Sequence, residues 1–155
     1  YLPSKGKIDV SSYAETELRK IEFITSDGLL LKSLFKRPSS KEKSIIMVFH
    51  GNAGHIGHRV EKFRPFLEEG HGLFLVEYRG YGENSGKPSE SGFYKDGQAA
   101  INFLSEKNIS KNKCHHFQSK CWFSRHVQLA WYTAFDEESD VQVKNKEILR
   151  PEAKI

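Results

Sequence analysis

The chain is 155 residues long, with 37% apolar and 28% charged side chains, which bounds it to one modest domain. Its formal charge of +4 and pI near 9.0 fall well short of the clustered charge that a dedicated nucleic-acid binder carries. No apolar run reaches the 18 residues that a membrane-spanning helix needs, and two cysteines, Cys114 and Cys121, are too few for a disulfide framework, which favours a reducing compartment.

Residues 1–20 are polar, end in Glu15-Thr16-Glu17-Leu18-Arg19-Lys20, and read as an exposed lead-in. Tyr1 in place of an initiator Met makes the sequence read as a fragment or a processed product. Ile21 to Thr25 alternates apolar and polar, Ser26-Asp27-Gly28 supplies a turn, and Leu29 to Phe35 resumes: a hairpin with Asp-Gly at its tip. After a loop at Pro38 to Lys43, Ile45-Ile46-Met47-Val48-Phe49 is a continuous apolar run, the mark of a strand covered on both faces. His50-Gly51-Asn52-Ala53-Gly54 comes next. Ile56, Val60, Phe63 and Leu67 then line one face of a helix, in which Pro65 predicts a kink or a break into two pieces. Gly70-His71-Gly72 stops it, and Leu73 to Tyr78 is another buried strand. The loop from Arg79 to Gly86 is rich in glycine, and Ser91 is placed to cap a helix whose buried stripe is Phe93, Gly97, Ala100, Ile101 and Leu104.

Hairpin, strand, helix, strand, helix is the order of an α/β fold with a parallel βαβ unit. It requires a further buried strand near Lys113. Cys114-His115-His116-Phe117-Gln118-Ser119-Lys120-Cys121-Trp122 does not read as one. The composition changes at the same place. All 12 glycines lie at or before Gly97, while both cysteines and both tryptophans, Trp122 and Trp131, lie beyond Lys113. Residues 1–113 hold 18 basic and 14 acidic side chains; residues 114–155 hold 6 of each. The alternating charges of 136–155 read as a solvated helix or disorder.

His50 to Gly54 stands between a buried strand and a helix start, where small residues leave backbone N–H groups open to an anion; a tight connector is the equal alternative. The loop from Arg79 to Gly86 has the same two readings. Neither is a phosphate loop, because no Gly-Lys-Ser/Thr comes after it and G-x-G-x-x-G is absent.

Taken together, Phe-His-Gly-Asn-Ala-Gly (49–54) and Leu-Val-Glu-Tyr-Arg-Gly-Tyr-Gly-Glu-Asn-Ser-Gly-Lys-Pro-Ser (75–89) resemble the α/β-hydrolase superfamily, in its abhydrolase-domain, bud-emergence-type branch of serine hydrolases. The resemblance runs over residues 1–113, a partial α/β-hydrolase domain, and leaves 114–155 as a tail outside the family pattern. Glu77 is its one visible departure, since the family usually has Asp there. The resemblance implies a truncated hydrolase sheet whose parent activity is serine-dependent hydrolysis of an ester, thioester or amide, on a small-molecule acyl substrate, without a cofactor or metal. It implies that Asn52 or Ala53 gives a backbone N–H to the oxyanion hole, with His50, Gly51, Gly54, Arg79, Gly80, Tyr81 and Gly82 as motif loops. It implies an intracellular or membrane-associated parent, the membrane reached only through an anchor upstream of Tyr1-Leu2-Pro3-Ser4, and no nucleic-acid partner.

The nucleophile elbow, G-x-S-x-G, is due after Lys113. Its serine slot holds Lys120, and Gln118 and Trp122 hold the glycine slots, so no catalytic residue is assigned and the chain reads as inactive. The triad's acid and histidine have no room in the rest of the chain. Lys-Cys-Trp, encoded AAR-TGY-TGG, gives Ser, then Val or Ala, then Gly when read one nucleotide later with Lys as AAG. Cys-His-His-Phe shifted likewise can give Val-Ile-Ile-Phe, the missing strand, although the position two before the serine does not become Gly. A frame-shifted tail, or a locally compensated shift, accounts for the change of text. The alternative is a non-catalytic interaction module or remnant, in which Ser119 and Ser124 are the only serines near the elbow. Zinc ligation by His50, His55 and His58, or by Cys114, His115, His116 and Cys121, is the weaker reading of the histidines, because neither spacing is a recognised one.

Overall fold

In the computed structural model, residues 2–51 and 53–118 are described. Two strands, β1 (Arg19–Ile24) and β2 (Leu30–Lys36), form the expected hairpin, with Ile24 opposite Leu30 and Arg19 opposite Phe35. Its tip is closed by the Gly28 N–H on the Thr25 carbonyl and the Thr25 N–H on the Leu29 carbonyl. The apolar run becomes β3 (Ile45–Phe49), buried at every residue, and β4 (Gly72–Val76) comes after the first helix, ending two residues before the sequence reading placed its limit. A fifth strand, β5, spans Cys114–Gln118. The sheet order is β1-β2-β4-β3-β5, antiparallel from β1 to β4 and parallel across β4, β3 and β5.

The strand β5 corrects the sequence reading of that segment. A parallel strand is held by its backbone ladder, here Ile45 opposite Cys114 through Phe49 opposite Gln118, and the ladder does not require apolar side chains. Cys114 is half-buried against the core and His115 is exposed, so β5 lacks the continuous burial of β3.

The helices are α1 (Val60–Glu68), preceded by a 3-10 turn at Ile56–Arg59, and α2 (Glu90–Glu106). The break expected at Pro65 does not occur: α1 runs unbroken through it, and the join between the 3-10 turn and α1 lies earlier, at Arg59 and Val60. Pro65 withholds an N–H only from the carbonyl of Glu61, in the first turn of a short helix, and the helix continues past it. The α2 cap is Ser89 rather than Ser91: its Oγ accepts the Gly92 N–H at 3.1 Å. Two serines stand near the helix start, and only the structure shows which one has extended backbone.

The crossover β3-α1-β4 runs one way along the sheet and β4-α2-β5 runs the other, which puts the helices on opposite faces. Two cores result. Ile45, Met47, Phe49, Phe74 and Val76 face α2 through Phe93, Ala100, Ile101 and Leu104, the expected stripe, joined by Phe103. Ile46, Val48, Leu73 and Leu75 face α1 through Ile56, Val60, Phe63 and Leu67. The lead-in is only partly exposed, since Ile8 (2% accessible) and Leu18 (4%) are sealed into the α1 side. Two apolar residues ten positions apart carry no periodicity, and the sequence reading passes over them.

Candidate functional site

The loops after β3 and β4 leave the carboxyl ends of adjacent parallel strands and turn to opposite faces of the sheet. In α/β folds ligands bind outside the strand ends at such a switch of direction. His50 is the first residue beyond β3, at that switch. Its ring is buried between Tyr78 and Tyr81, with ring centres 4.7 and 5.1 Å away. His50 Nδ1 stands 2.8 Å from the Gly51 carbonyl. A carbonyl only accepts, so Nδ1 carries a proton. Nε2 stands 2.7 Å from Oε1 of Glu77, and neither of these two atoms has another partner. The other Glu77 oxygen accepts the Ile56 N–H at 3.0 Å, and the Glu77 N–H is given to Ser33 Oγ. Both side chains are sealed, at 1% and 0% accessible.

Between these anchors the turn passes Gly51, Asn52, Ala53 and Gly54. Asn52, the first-named donor, lies outside the described residues. Gly54 has φ +81, with a His58 ring nitrogen 3.3 Å from where a Cβ would stand. Leu2 and Pro3 run parallel to Ala53 and Gly54. Pro3 has no N–H, so the ladder's bonds run through Gly54 and the Ala53 N–H faces away from that neighbour. The Ala53 carbonyl is taken by the Arg59 guanidinium at 3.0 Å. The same N-terminal segment crosses to the second loop: Gly82 N–H gives to Ser4 O, Lys5 Nζ to Asn84 O, and Ile8 N–H to a Glu83 carboxyl oxygen.

The second loop is a packed connector. Arg79 gives its backbone N–H and Nε to Asp96 and its two terminal nitrogens to Asp27, fastening the loop to α2 and to the hairpin tip. These carboxylates hold the guanidinium above its ordinary value, Asp27 the more strongly. Asp27 is held well below the usual carboxylate range by Arg79, whereas burial raises Asp96. Asn84 fills the loop's centre, its amide on the Lys32 and Glu77 carbonyls and its oxygen on the Lys32 N–H. Tyr81 is buried, and the Gly80 N–H closes on Ser85 O. Gly82 (φ +50) backs Glu77, and a Cβ there would stand 2.7 Å from Oε2. Sequence reasoning missed Asp96, Asn84 and the Glu77–His50 contact. A carboxylate at the end of an otherwise apolar strand was the available signal for the last.

The zinc readings gain no geometry. Among the described residues no three potential ligands gather. The rings of His55 and His58 stand 3.9 Å apart, tilted by 39°, and His55 Nδ1 already accepts the Gly57 N–H. Burial, then His58, lowers the His55 pKa. Cys114 and His115 are neighbours on a strand and so face opposite sides; burial pushes the Cys114 thiol up to about 12, against a thiolate. Cys121 and the elbow positions Ser119, Lys120 and Trp122 lie outside the described residues.

A mixed sheet with helices on both faces, and two glycine-bearing loops meeting at the switch of strand direction, defines part of a doubly wound α/β fold. The chain is 37% identical to the Bem46 protein of Schizosaccharomyces pombe over 103 residues, 65% of this chain and 33% of that one. It is 39% identical to the α/β-hydrolase domain-containing protein WAV2 of Arabidopsis thaliana over 84 residues, 52% and 27% respectively. It thus spans about a third of the curated relatives it matches. Among solved structures, a Pyrococcus furiosus esterase superposes on 76% of the chain (47% of its own) with a TM-score of 0.57 at 16% identity. A Xanthomonas campestris α/β serine hydrolase without a lid covers 77% of the chain (57% of its own), also at 0.57 and 16%. No family model matches. The chain belongs to the α/β-hydrolase superfamily and spans part of its fold.

Proposed function

We propose that the parent scaffold hydrolyses an ester, thioester or amide through a serine nucleophile, and that the chain as it stands does not. In this reading the backbone N–H groups of Asn52 and Ala53 supply half of an oxyanion hole, which needs donors because charge develops on the substrate oxygen. Each missing donor there costs about 2.7–4 kcal/mol of barrier. The observation that carries the reading is the His50–Gly54 turn at the carboxyl end of β3, with the Ala53 N–H turned from its Leu2–Pro3 neighbour. The end of β5 opposite Phe49 supports it, since an elbow begins at such a strand end. The serine slot beyond that end reads Lys120, and Gln118 and Trp122 replace its glycines.

Residues from about 114 onward are, on this proposal, a shifted reading of the parent's elbow. An uninterrupted, unshifted coding match to relatives through codon 120 would refute that part. For activity, the test is a fluorophosphonate serine probe on the purified chain. We expect no specific labelling; stoichiometric labelling of Ser119 or Ser124 would refute the inactive reading.

A further inference from the structure

We infer that Glu77 is the positioning residue of the turn between β3 and α1: its single carboxylate grips His50 at the entry and Ile56 at the exit, and so sets where the backbone donors between them point. The inference deepens the reading of that turn as an oxyanion cradle and rests on it for its functional meaning. Its geometric content stands on contacts of 2.7 Å to His50 Nε2 and 3.0 Å to the Ile56 N–H.

Three features make the grip depend on this side chain. The carboxylate is dry, so water does not replace either contact. It is immobilised from behind, because Gly82 leaves only the room it occupies and Ser33 fixes its backbone. Its length matches the span: aspartate would withdraw the carboxyl by about 1.5 Å, one carbon–carbon bond, and could not keep both partners. The hydrogens define the converse case. Two lone pairs do not meet at 2.7 Å, so a proton is shared between Nε2 and Oε1 beside the one that Nδ1 gives to Gly51; in front of an amide the ring would be neutral and offer a lone pair at Nε2. Glutamine at position 77 would accept from Ile56 through its oxygen and donate to Nε2 through its amide, keeping both grips with one donor direction reversed.

The experiment is amide hydrogen exchange by NMR on the whole chain and on E77D and E77Q, with the His50 ring N–H resonance as a second signal. In E77D the Ile56 amide should exchange about ten-fold faster than native, the scale of a lost hydrogen bond to a charged group. Ile101 in α2 should stay unchanged, and the ring resonance should broaden. E77Q should keep Ile56 within about two-fold of native and retain a sharp ring signal. Native-like Ile56 protection in E77D would overturn the inference, as would E77Q behaving like E77D. Equal acceleration at Ile56 and Ile101 would also overturn it, since Glu77 would then be general core filling. Labelling by the serine probe, whatever its outcome, leaves these readouts unmoved, so the two proposals fail separately.

Discussion

Arg79 meets two carboxylates that differ in burial, and the difference sets what each is worth. Asp96 is sealed and Asp27 is exposed. Removing Asp96 leaves a largely buried guanidinium short of a partner, so D96A should cost about 3 kcal/mol in urea unfolding. D27A breaks a solvent-screened pair and should cost under about 1 kcal/mol. Glu83 offers a pH test. Lys20 holds its carboxyl down to about 2, with the Ile8 N–H and Lys32 adding to the effect. A depressed folded-state value stabilises above the ordinary carboxylate range and is lost as pH falls from about 4.5 to about 2. Acid unfolding of K20A should therefore begin at higher pH than that of the native chain, with little difference between them near pH 2.

At the scale of elements, legibility in the sequence depends on how each element is held. Ile45–Phe49 and the Phe93–Leu104 stripe are legible because apolar side chains make them, and the pattern of apolar residues is the pattern of burial. The hairpin tip is legible from Asp27-Gly28. The strand β5 is not, because its warrant is the backbone of β3. The site divides likewise: the turn from His50 to Gly54 stands out as small residues after an apolar run, whereas its Glu77 anchor comes from just beyond β4, 27 positions after His50. The Ser89 cap is ambiguous from sequence, and it is testable. S89A should lower stability by about 1 kcal/mol, and S91A should leave it within a few tenths. Circular dichroism during urea unfolding would separate them.

For the molecule as a whole, the two cores share one sheet, and the N-terminal residues belong to the one under α1. Ile8 packs there, although the sequence around it reads as solvent-facing. I8A should cost about 2–4 kcal/mol and I24A, on the 66% accessible hairpin end, close to nothing. Equal midpoints for the two variants would show that the segment from Leu2 to Ile8 is not held as described.

The register of β5 has a consequence during synthesis. Ile45 pairs with Cys114 and Phe49 with Gln118, each 69 positions later in the chain, whereas β4 arrives after only 27. At about 5–20 residues per second, one flank of β3 therefore waits several seconds for its neighbour while the ribosome works. Through that interval Ile45–Phe49 presents unpaired N–H and C=O groups beside five apolar side chains, which is what holdase chaperones bind. Nascent chains arrested shortly before codon 114 should be captured by such chaperones more than chains arrested well past the coding of β5.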